Sequence, residues 1–136
     1  PRMDSEYSMG YQLSMELLRE QKQFTAIAGQ NDMMAIGAID ALEKSRIRVP
    51  KDVSVIGCDD IFYSSIRRLS LTTIDHFVAL KGRDACDIII RKITTNDQFY
   101  TGLQPTSLYN IEYTPKLIAR KTTTYAKTSG ISKPVK

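Results

Sequence analysis

The feature that most constrains this chain is a short apolar run that stops at a glycine and two adjacent carboxylates. Residues 53–60 read Val-Ser-Val-Ile-Gly-Cys-Asp-Asp. A β-branched run with so abrupt an end is typical of a buried strand in a parallel sheet. Open α/β folds bind ligands at the carboxyl ends of such strands, so the run places Asp59 and Asp60 at the mouth of a sheet. A purely local role stays open, because Asp also caps many turns.

A strand and a helix precede this run. Residues 24–29 are predicted as a short strand, and the Gln-Asn-Asp sequence at 30–32 caps the helix that follows. The order strand, helix, strand within about 40 residues predicts a right-handed βαβ unit and an α/β fold. The helix is apolar on more than one face, so we expect the sheet to cover one side and a partner subunit the other.

Composition excludes several classes of protein. The 136 residues, 42% of them hydrophobic, suffice for one domain. No run approaches the ~18 apolar residues of a membrane span, and the first twenty residues lack a signal-peptide pattern, so we expect a cytoplasmic protein without a membrane partner. Cys58 and Cys86 form no CxxC motif and there is one histidine, which predicts buried free thiols, no disulfide and no metal site.

The positive charge is concentrated at the end of the chain. All 15 acidic residues precede residue 116, whereas part of the 19 basic residues follows it in a Lys/Ser/Thr-rich segment. Such a segment is typical of a solvated tail rather than of a DNA-binding arm. We therefore expect an ordered domain over residues 1–121 and a basic flexible tail over residues 122–136.

The other elements follow from periodicity. An amphipathic helix is predicted up to about Glu20, and another from Val78 to Ile93. Residues 94–106 are predicted as a polar loop, and residues 108–113 alternate as a half-exposed strand. The predicted buried face of the first helix consists of Met9, Leu13, Leu17 and Leu18. The apolar face of the later helix consists of Ala85, Ile88, Ile89 and Ile93.

Taken together, residues 3–124 resemble the effector-binding core of the LacI/GalR family of bacterial transcription regulators. The order and spacing of the matching pieces are specific, although no single piece decides. The pieces are Gly10-Tyr11, Asn31-Asp32 with Ala35 and Gly37, residues 49–57 running into Asp59-Asp60, residues 71–74, Gly82 with Ala85, and residues 117–120.

The resemblance implies both a fold and a function. The implied fold is a three-layer α/β arrangement of the periplasmic-binding-protein-like type, with a parallel sheet and helices on both faces, incomplete here and mainly the carboxyl-terminal lobe. The implied function is effector sensing and dimerisation within a regulator that reaches operator DNA through a helix-turn-helix headpiece, which this chain lacks. No cofactor is implied. The alternative is a sugar-binding receptor of a transport system with the same fold.

The resemblance also assigns residues to a site for a sugar or related small metabolite. Asn31 and Asp59 correspond to ligand-bonding positions, and His76 stands where many members have a polar amide. Backbone bonding is the competing role for His76. Ser5 falls where an aromatic ring commonly stacks on the effector, and Tyr7 is the residue that could replace that ring.

Other positions are assigned structural or interface roles. Asp32 and Asp60 are expected to cap a helix and a turn. Cys58 and Phe77 depart from the usual aromatic residue and proline of the family. The implied homodimer interface contains Ile36, Ile39, Ile66 and Arg67.

An enzyme is the third hypothesis. Asp59, Asp60 and His76 would then form an acid–base set. Adjacent residues of an extended segment point to opposite sides, so the two carboxylates are poorly placed to share a proton. We therefore expect no catalytic residues and no enzymatic activity.

Overall fold

The computed structural model describes residues 5–21, 23–94 and 111–125, which divide into two compact units. The first, called the sheet unit, comprises Pro1–Asp75 and Lys116–Lys136. The second, called the helix unit, comprises His76–Pro115. The described helix of the helix unit is α3, Val78–Thr94. The described elements of the sheet unit are α1 (Glu6–Arg19), β1 (Ala26–Ala28), α2 (Asp32–Lys44), β2 (Ser54–Cys58), a 3-10 helix (Phe62–Ser65), β3 (Thr72–Asp75) and β4 (Lys116–Ile118).

The four strands form one sheet in the order β1-β2-β3-β4. The first three run parallel, with Ile27 opposite Val55 and Gly57 opposite Thr73. The predicted βαβ unit is therefore present, as β1, α2 and β2. The predicted parallel sheet is confirmed for these three strands, and β4 is added to it antiparallel to β3. Asp75 and Lys116 are partners, so the chain leaves and re-enters the sheet at one point and must reverse its direction.

The core lies between the sheet and α2. Along β2 the buried residues alternate with half-buried ones, as expected for a strand that presents one face to a helix. Ala35 and Leu42 of α2 are fully buried against Val53 and Val55. This core is what holds the ends of β1 and β2 in place.

The buried face of α1 differs from the prediction. Met9 and Leu13 are 43% and 51% exposed, whereas Gly10, Ser14 and Leu18 are buried. The reason is the close approach of the two helices: a Cβ at Gly10 would collide with the backbone carbonyl of Met34. Small residues rather than large apolar ones therefore form the contact with α2.

Other predictions differ in burial or in extent. No residue of α3 is buried among the described residues, and Ile93 on its predicted apolar face is 74% exposed. Cys86 is exposed and Cys58 only half-buried, contrary to the prediction for both thiols. Of the predicted strand at 108–113, residues 108–110 lie outside the described residues and residues 111–113 are not a strand.

The boundary of the predicted tail lies too early. Thr122 is 4% exposed. Its hydroxyl donates to the carbonyl of Val55 (2.7 Å) and accepts from the N–H of Thr72 (2.8 Å). Residues 122–124 therefore belong to the sheet unit, and residues 126–136 of the tail lie outside the described residues.

Within the described ranges, none of the helices has the length and apolar character that crossing a membrane requires.

Candidate ligand-binding site

The parallel strands β1 and β2 end at the same edge of the sheet. The N–H of Gly29, just after β1, still donates to the carbonyl of Ile56 in β2 (2.8 Å), and beyond this bond the two segments leave the sheet. Asn31 follows β1, and Asp59 follows β2. These two predicted ligand residues thus emerge at one sheet edge, where α/β folds bind ligands.

Asn31 begins α2. Its Oδ1 accepts from the N–H of Met34 (2.9 Å), which makes it the N-cap of the helix. The prediction gave this role to Asp32 as well, and there it was wrong. With Oδ1 committed to the cap, the Nδ2 amide is the part of Asn31 that is suited to donate to a ligand.

Asp59 and Asp60 form a sharp turn after β2. Their φ values are 112° and 48°, in the left-handed half of the backbone map, which Asp tolerates better than most residues. The N–H of Asp59 donates to the carbonyl of Ile74 (2.9 Å), and the N–H of Asp60 donates to Thr73 Oγ1 (3.4 Å). The turn is therefore held by β3 on both residues.

Asp60 has a structural role, although not the predicted turn cap. Its Oδ1 accepts from Arg120 Nη2 at 2.6 Å, and both side chains are mostly buried. Arg120 Nη1 also donates to the carbonyl of Leu71 (2.9 Å). This pair ties the segment after β4 to the turn at the sheet edge.

Asp32 is fully buried and accepts three hydrogen bonds. The donors are the backbone N–H of Ile61 (2.9 Å) and the hydroxyls of Ser64 (2.6 Å) and Thr73 (2.5 Å). The sequence pattern missed this cluster, because its donors lie 29, 32 and 41 residues away. The only sequence signal is a carboxylate on an apolar helix, which requires donors from elsewhere in the fold.

The thiol of Cys58 also lies at this edge. Burial raises the pKa of the Cys58 thiol, and the nearby carboxylates of Asp59 and Asp32 raise it further. The thiol is therefore mainly protonated at neutral pH, which makes it a poor nucleophile.

The two other predicted ligand residues have local partners. Ser5 is the N-cap of α1, and its Oγ accepts from the N–H of Ser8 (3.2 Å). His76 is the first residue of the helix unit, and its Nδ1 lies 3.4 Å from Lys81 Nζ. Tyr7, the possible replacement for an aromatic at Ser5, donates its hydroxyl to Asp40 of α2.

A groove of about 380 Å³ runs between α2 and the 3-10 helix. Three of the four predicted interface residues, Ile36, Ile39 and Ile66, line this groove. The fourth, Arg67, does not, and the basic residue in the lining is Arg68. Ile66 is 42% exposed, whereas Ile39 is 5% exposed and packs mainly in the core. The lining residues are Met33, Ile36, Ile39, Asp40, Glu43, Tyr63, Ile66, Arg68 and Leu69.

A family model for the periplasmic binding protein-like domain matches residues 2–123 of the chain. The chain belongs to this family. The Haemophilus influenzae repressor PurR is 43% identical over 112 residues, which cover 82% of this chain and 32% of that protein. The ribose operon repressor of Escherichia coli K12 is 34% identical over 118 residues, which cover 86% of this chain and 33% of the repressor.

Solved structures agree with the sequence relatives. The structure of the Lac repressor dimer bound to operator and the anti-inducer ONPF has a TM-score of 0.68 and 31% identity. The match covers 88% of this chain and 38% of the repressor chain. This member of the periplasmic binding protein-like family is accordingly part of a LacI/GalR-type effector-binding domain, which confirms the predicted resemblance.

These relatives also bear on the alternatives. Both sequence relatives are transcriptional repressors, so the transport-receptor alternative is not favoured, and their role fits a protein that is not an enzyme. The chain spans about a third of the length of each.

Proposed function

We propose that this chain is the effector-sensing and dimerising part of a bacterial transcriptional repressor that acts in the cytoplasm. Operator DNA would be bound by a headpiece outside this chain. The observation that supports the proposal best is the shared sheet edge at which Asn31 and Asp59 emerge. It pairs an amide donor with a carboxylate acceptor.

The chemistry of this pair suits a small polar ligand. A carboxylate accepts from hydroxyls or ring N–H groups, and a carboxamide donates to the oxygen or nitrogen atoms beside them. A sugar or a related metabolite offers both kinds of group. Ser5 is proposed as a further ligand residue, and the ligand role of His76, the first residue of the helix unit, stays a prediction.

The ligand would act by shifting an equilibrium between two arrangements of the repressor. A ligand changes the balance only by the difference between its affinities for the two states. If the ligand binds one arrangement better, it changes the affinity for operator DNA. The operator then changes the affinity for the ligand by the same coupling free energy.

Dimerisation is proposed to use the groove between α2 and the 3-10 helix. Ile36 and Ile66 supply apolar area there, and Tyr63 is 56% exposed beside them. An exposed apolar patch bordered by charged residues is typical of an interface. A homodimer would pair this surface with its own copy about a two-fold axis.

Titration of ligands against the complete gene product tests the ligand site. The probes are D-ribose, other mono- and disaccharides, and free nucleobases, with binding measured by isothermal titration calorimetry. Asn31→Ser keeps a capping oxygen but removes the amide donor, and Asp59→Asn removes the charge. Each is expected to weaken binding of the best probe by at least about tenfold.

Asp52→Asn is the matched control, because Asp52 pairs with Arg48 before β2 and away from the carboxyl end of the strand. It should leave the affinity unchanged. Absence of binding by every probe, or equal affinity for Asp59→Asn and the wild type, would contradict the proposed site.

Sedimentation equilibrium tests the dimer surface. Ile66→Glu places a charge in the groove and should raise the dimer dissociation constant by at least about tenfold. Ile111→Glu is the control, since Ile111 is 45% exposed, about as much as Ile66, and belongs to the helix unit. An equal effect of the two substitutions would remove the groove from the interface.

A further inference from the structure

The carboxylate of Asp32 is bonded on two sides. Its Oδ1 accepts from the hydroxyl of Thr73, while its Oδ2 accepts from the hydroxyl of Ser64 and the N–H of Ile61. Asp32, Ser64 and Thr73 all have zero exposure. A carboxylate that is fully buried from water is stable only when several hydrogen-bond donors satisfy it. These three donors therefore form a specific hydrogen-bonding site for Asp32.

One side of the cluster holds the turn at the sheet edge. Thr73 Oγ1 donates to Asp32 and accepts from the N–H of Asp60. The next amide, that of Ile61, donates to Asp32 directly (2.9 Å). The backbone N–H groups of Ile61 and Asp60 are thus both connected to Asp32, the first by a direct hydrogen bond and the second through the hydroxyl of Thr73. The left-handed backbone at Asp59 and Asp60 costs energy, and it persists where bonds of this kind over-determine it.

The other side of the cluster holds the 3-10 helix. Ser64 lies in this helix and is bonded to Asp32 at 2.6 Å. Its carbonyl also accepts from the N–H of Leu71 (2.9 Å). Tyr63 directly precedes Ser64 and Ile66 lies two residues after it, and both line the groove proposed for dimerisation. The position of this groove wall therefore depends on the bond between Ser64 and Asp32.

The sheet also leaves room for this carboxylate. A Cβ at Gly57 of β2 would collide with Asp32 Oδ1. Any other residue at position 57 would displace the carboxylate from Thr73, or the strand from α2. The absence of a side chain at Gly57 thus leaves space for the carboxylate of Asp32 and allows β2 to pack closely against α2.

We propose that Asp32 is a positioning residue that couples the ligand turn at Asp59 to the dimer groove at Ile66. The inference rests on the proposed function, because it links the two surfaces that this function uses. Because Asp32 is fully buried, it would act in this role through its hydrogen-bond donors rather than by contact with a ligand or a partner subunit. A shift of the turn on ligand binding reaches the groove because the same carboxylate bonds Thr73 on one side and Ser64 on the other.

The experiment uses the complete gene product and three variants. Asp32→Asn keeps the shape but replaces one acceptor oxygen by a donor and removes the charge, so it breaks the bonds on one side of the cluster and weakens those on the other. Thr73→Val removes the hydroxyl that links Asp32 to the N–H of Asp60 in the turn, and Ser64→Ala removes the hydroxyl on the side of the groove. Thr72→Val is the matched control: Thr72 is also buried in β3, but its hydroxyl bonds Arg120 N–H and Thr123, away from Asp32.

Amide hydrogen exchange and sedimentation give readouts that need no ligand. Asp32→Asn should speed exchange of the amides in 59–66 by at least about tenfold relative to the rest of the sheet unit. Thr73→Val should weaken dimerisation by at least about threefold although Thr73 is outside the groove, and Thr72→Val should not. Ser64→Ala should weaken binding of the best probe from the panel above by a similar factor.

Two results would overturn the proposal. One is a uniform acceleration of exchange over the sheet unit that Thr72→Val reproduces, which is the signature of lost stability alone. The other is dimerisation that Thr73→Val leaves unchanged. If no probe binds, the proposed effector function fails, while exchange and sedimentation still decide whether Asp32 joins the turn to the groove. If Asp32→Asn does not fold, Thr73→Val and Ser64→Ala decide it.

Discussion

At the scale of single residues, the sheet edge shows how neighbours in sequence acquire different roles. Asn31 caps a helix and offers an amide, whereas Asp32 turns inward and is buried. Asp59 carries the proposed ligand carboxylate, whereas Asp60 pairs with Arg120. The start of α2 separates the roles of Asn31 and Asp32, and the left-handed turn separates those of Asp59 and Asp60. Asn31 and Asp32 are therefore not two equivalent helix caps, and Asp59 and Asp60 are not two equivalent acids.

The two cysteines give a prediction at this scale. With iodoacetamide at pH 8, Cys58 should react at least about tenfold more slowly than the exposed Cys86. The raised pKa of Cys58 means that less thiolate is present at any given pH. Its rate should therefore still increase above about pH 9, the ordinary pKa of the thiol.

Mass spectrometry of the labelled peptides measures both rates, and the single-cysteine variants Cys58→Ser and Cys86→Ser separate them. Equal rates at pH 8 would show that Cys58 lacks the burial described above.

At the scale of elements, the contact between α1 and α2 depends on glycines. A Cβ at Gly10 would collide with the carbonyl of Met34, and a Cβ at Gly37 with the carbonyl of Tyr7. The helices thus approach closely where each lacks a side chain. Lys44 over the ring of Tyr11, at 5.5 Å, lies on the outer side of the same pair of helices.

Gly10→Ala should therefore lower the free energy of unfolding by about 1–3 kcal/mol, because the backbone of α2 must move away. Gly82→Ala is the control, since Gly82 lies in α3 with open space around the position of a Cβ. There the change should be neutral or stabilising by up to about 1 kcal/mol, through helix propensity. Urea denaturation measures both, and a loss at position 82 as large as that at position 10 would contradict the close contact.

At the scale of the whole molecule, the sheet unit is completed by residues from the end of the chain. The chain leaves this unit after Asp75 and returns at Lys116, so β4 and residues 120–124 pack beside strands encoded far earlier. Thr122 bonds Val55 and Thr72, 67 and 50 residues away. A segment whose composition is that of a tail thus helps to hold the central strands together.

Thr122→Val tests this closure. It would leave the carbonyl of Val55 and the N–H of Thr72 without their hydroxyl partner in a buried place, at a cost of about 2–4 kcal/mol of unfolding free energy. Thr124→Val is the control, because Thr124 is exposed and its described bonds to Ser54 use the backbone. That change should stay within about 0.5 kcal/mol. Equal effects in thermal unfolding would restore the predicted tail boundary at residue 122.

The sequence alone determined the βαβ unit, the approximate extent of the helices and the position of Asp59 at the end of a strand. These follow from local patterns: a β-branched run, apolar residues at helical spacing and polar residues at helix starts. Order and spacing of the matching pieces also identified the family, which the comparisons confirm. Information of this kind is contained in neighbouring residues.

Only the tertiary structure decided which faces are buried and which polar groups pair. The direction of β4 depends on where the chain re-enters the sheet, and the buried face of α1 on how closely α2 approaches. The donors of Asp32 and the partner of Asp60 come from residues 29 to 60 positions away. Hydrogen bonds of a buried carboxylate are satisfied by whatever the fold brings near, and sequence periodicity carries no record of that proximity.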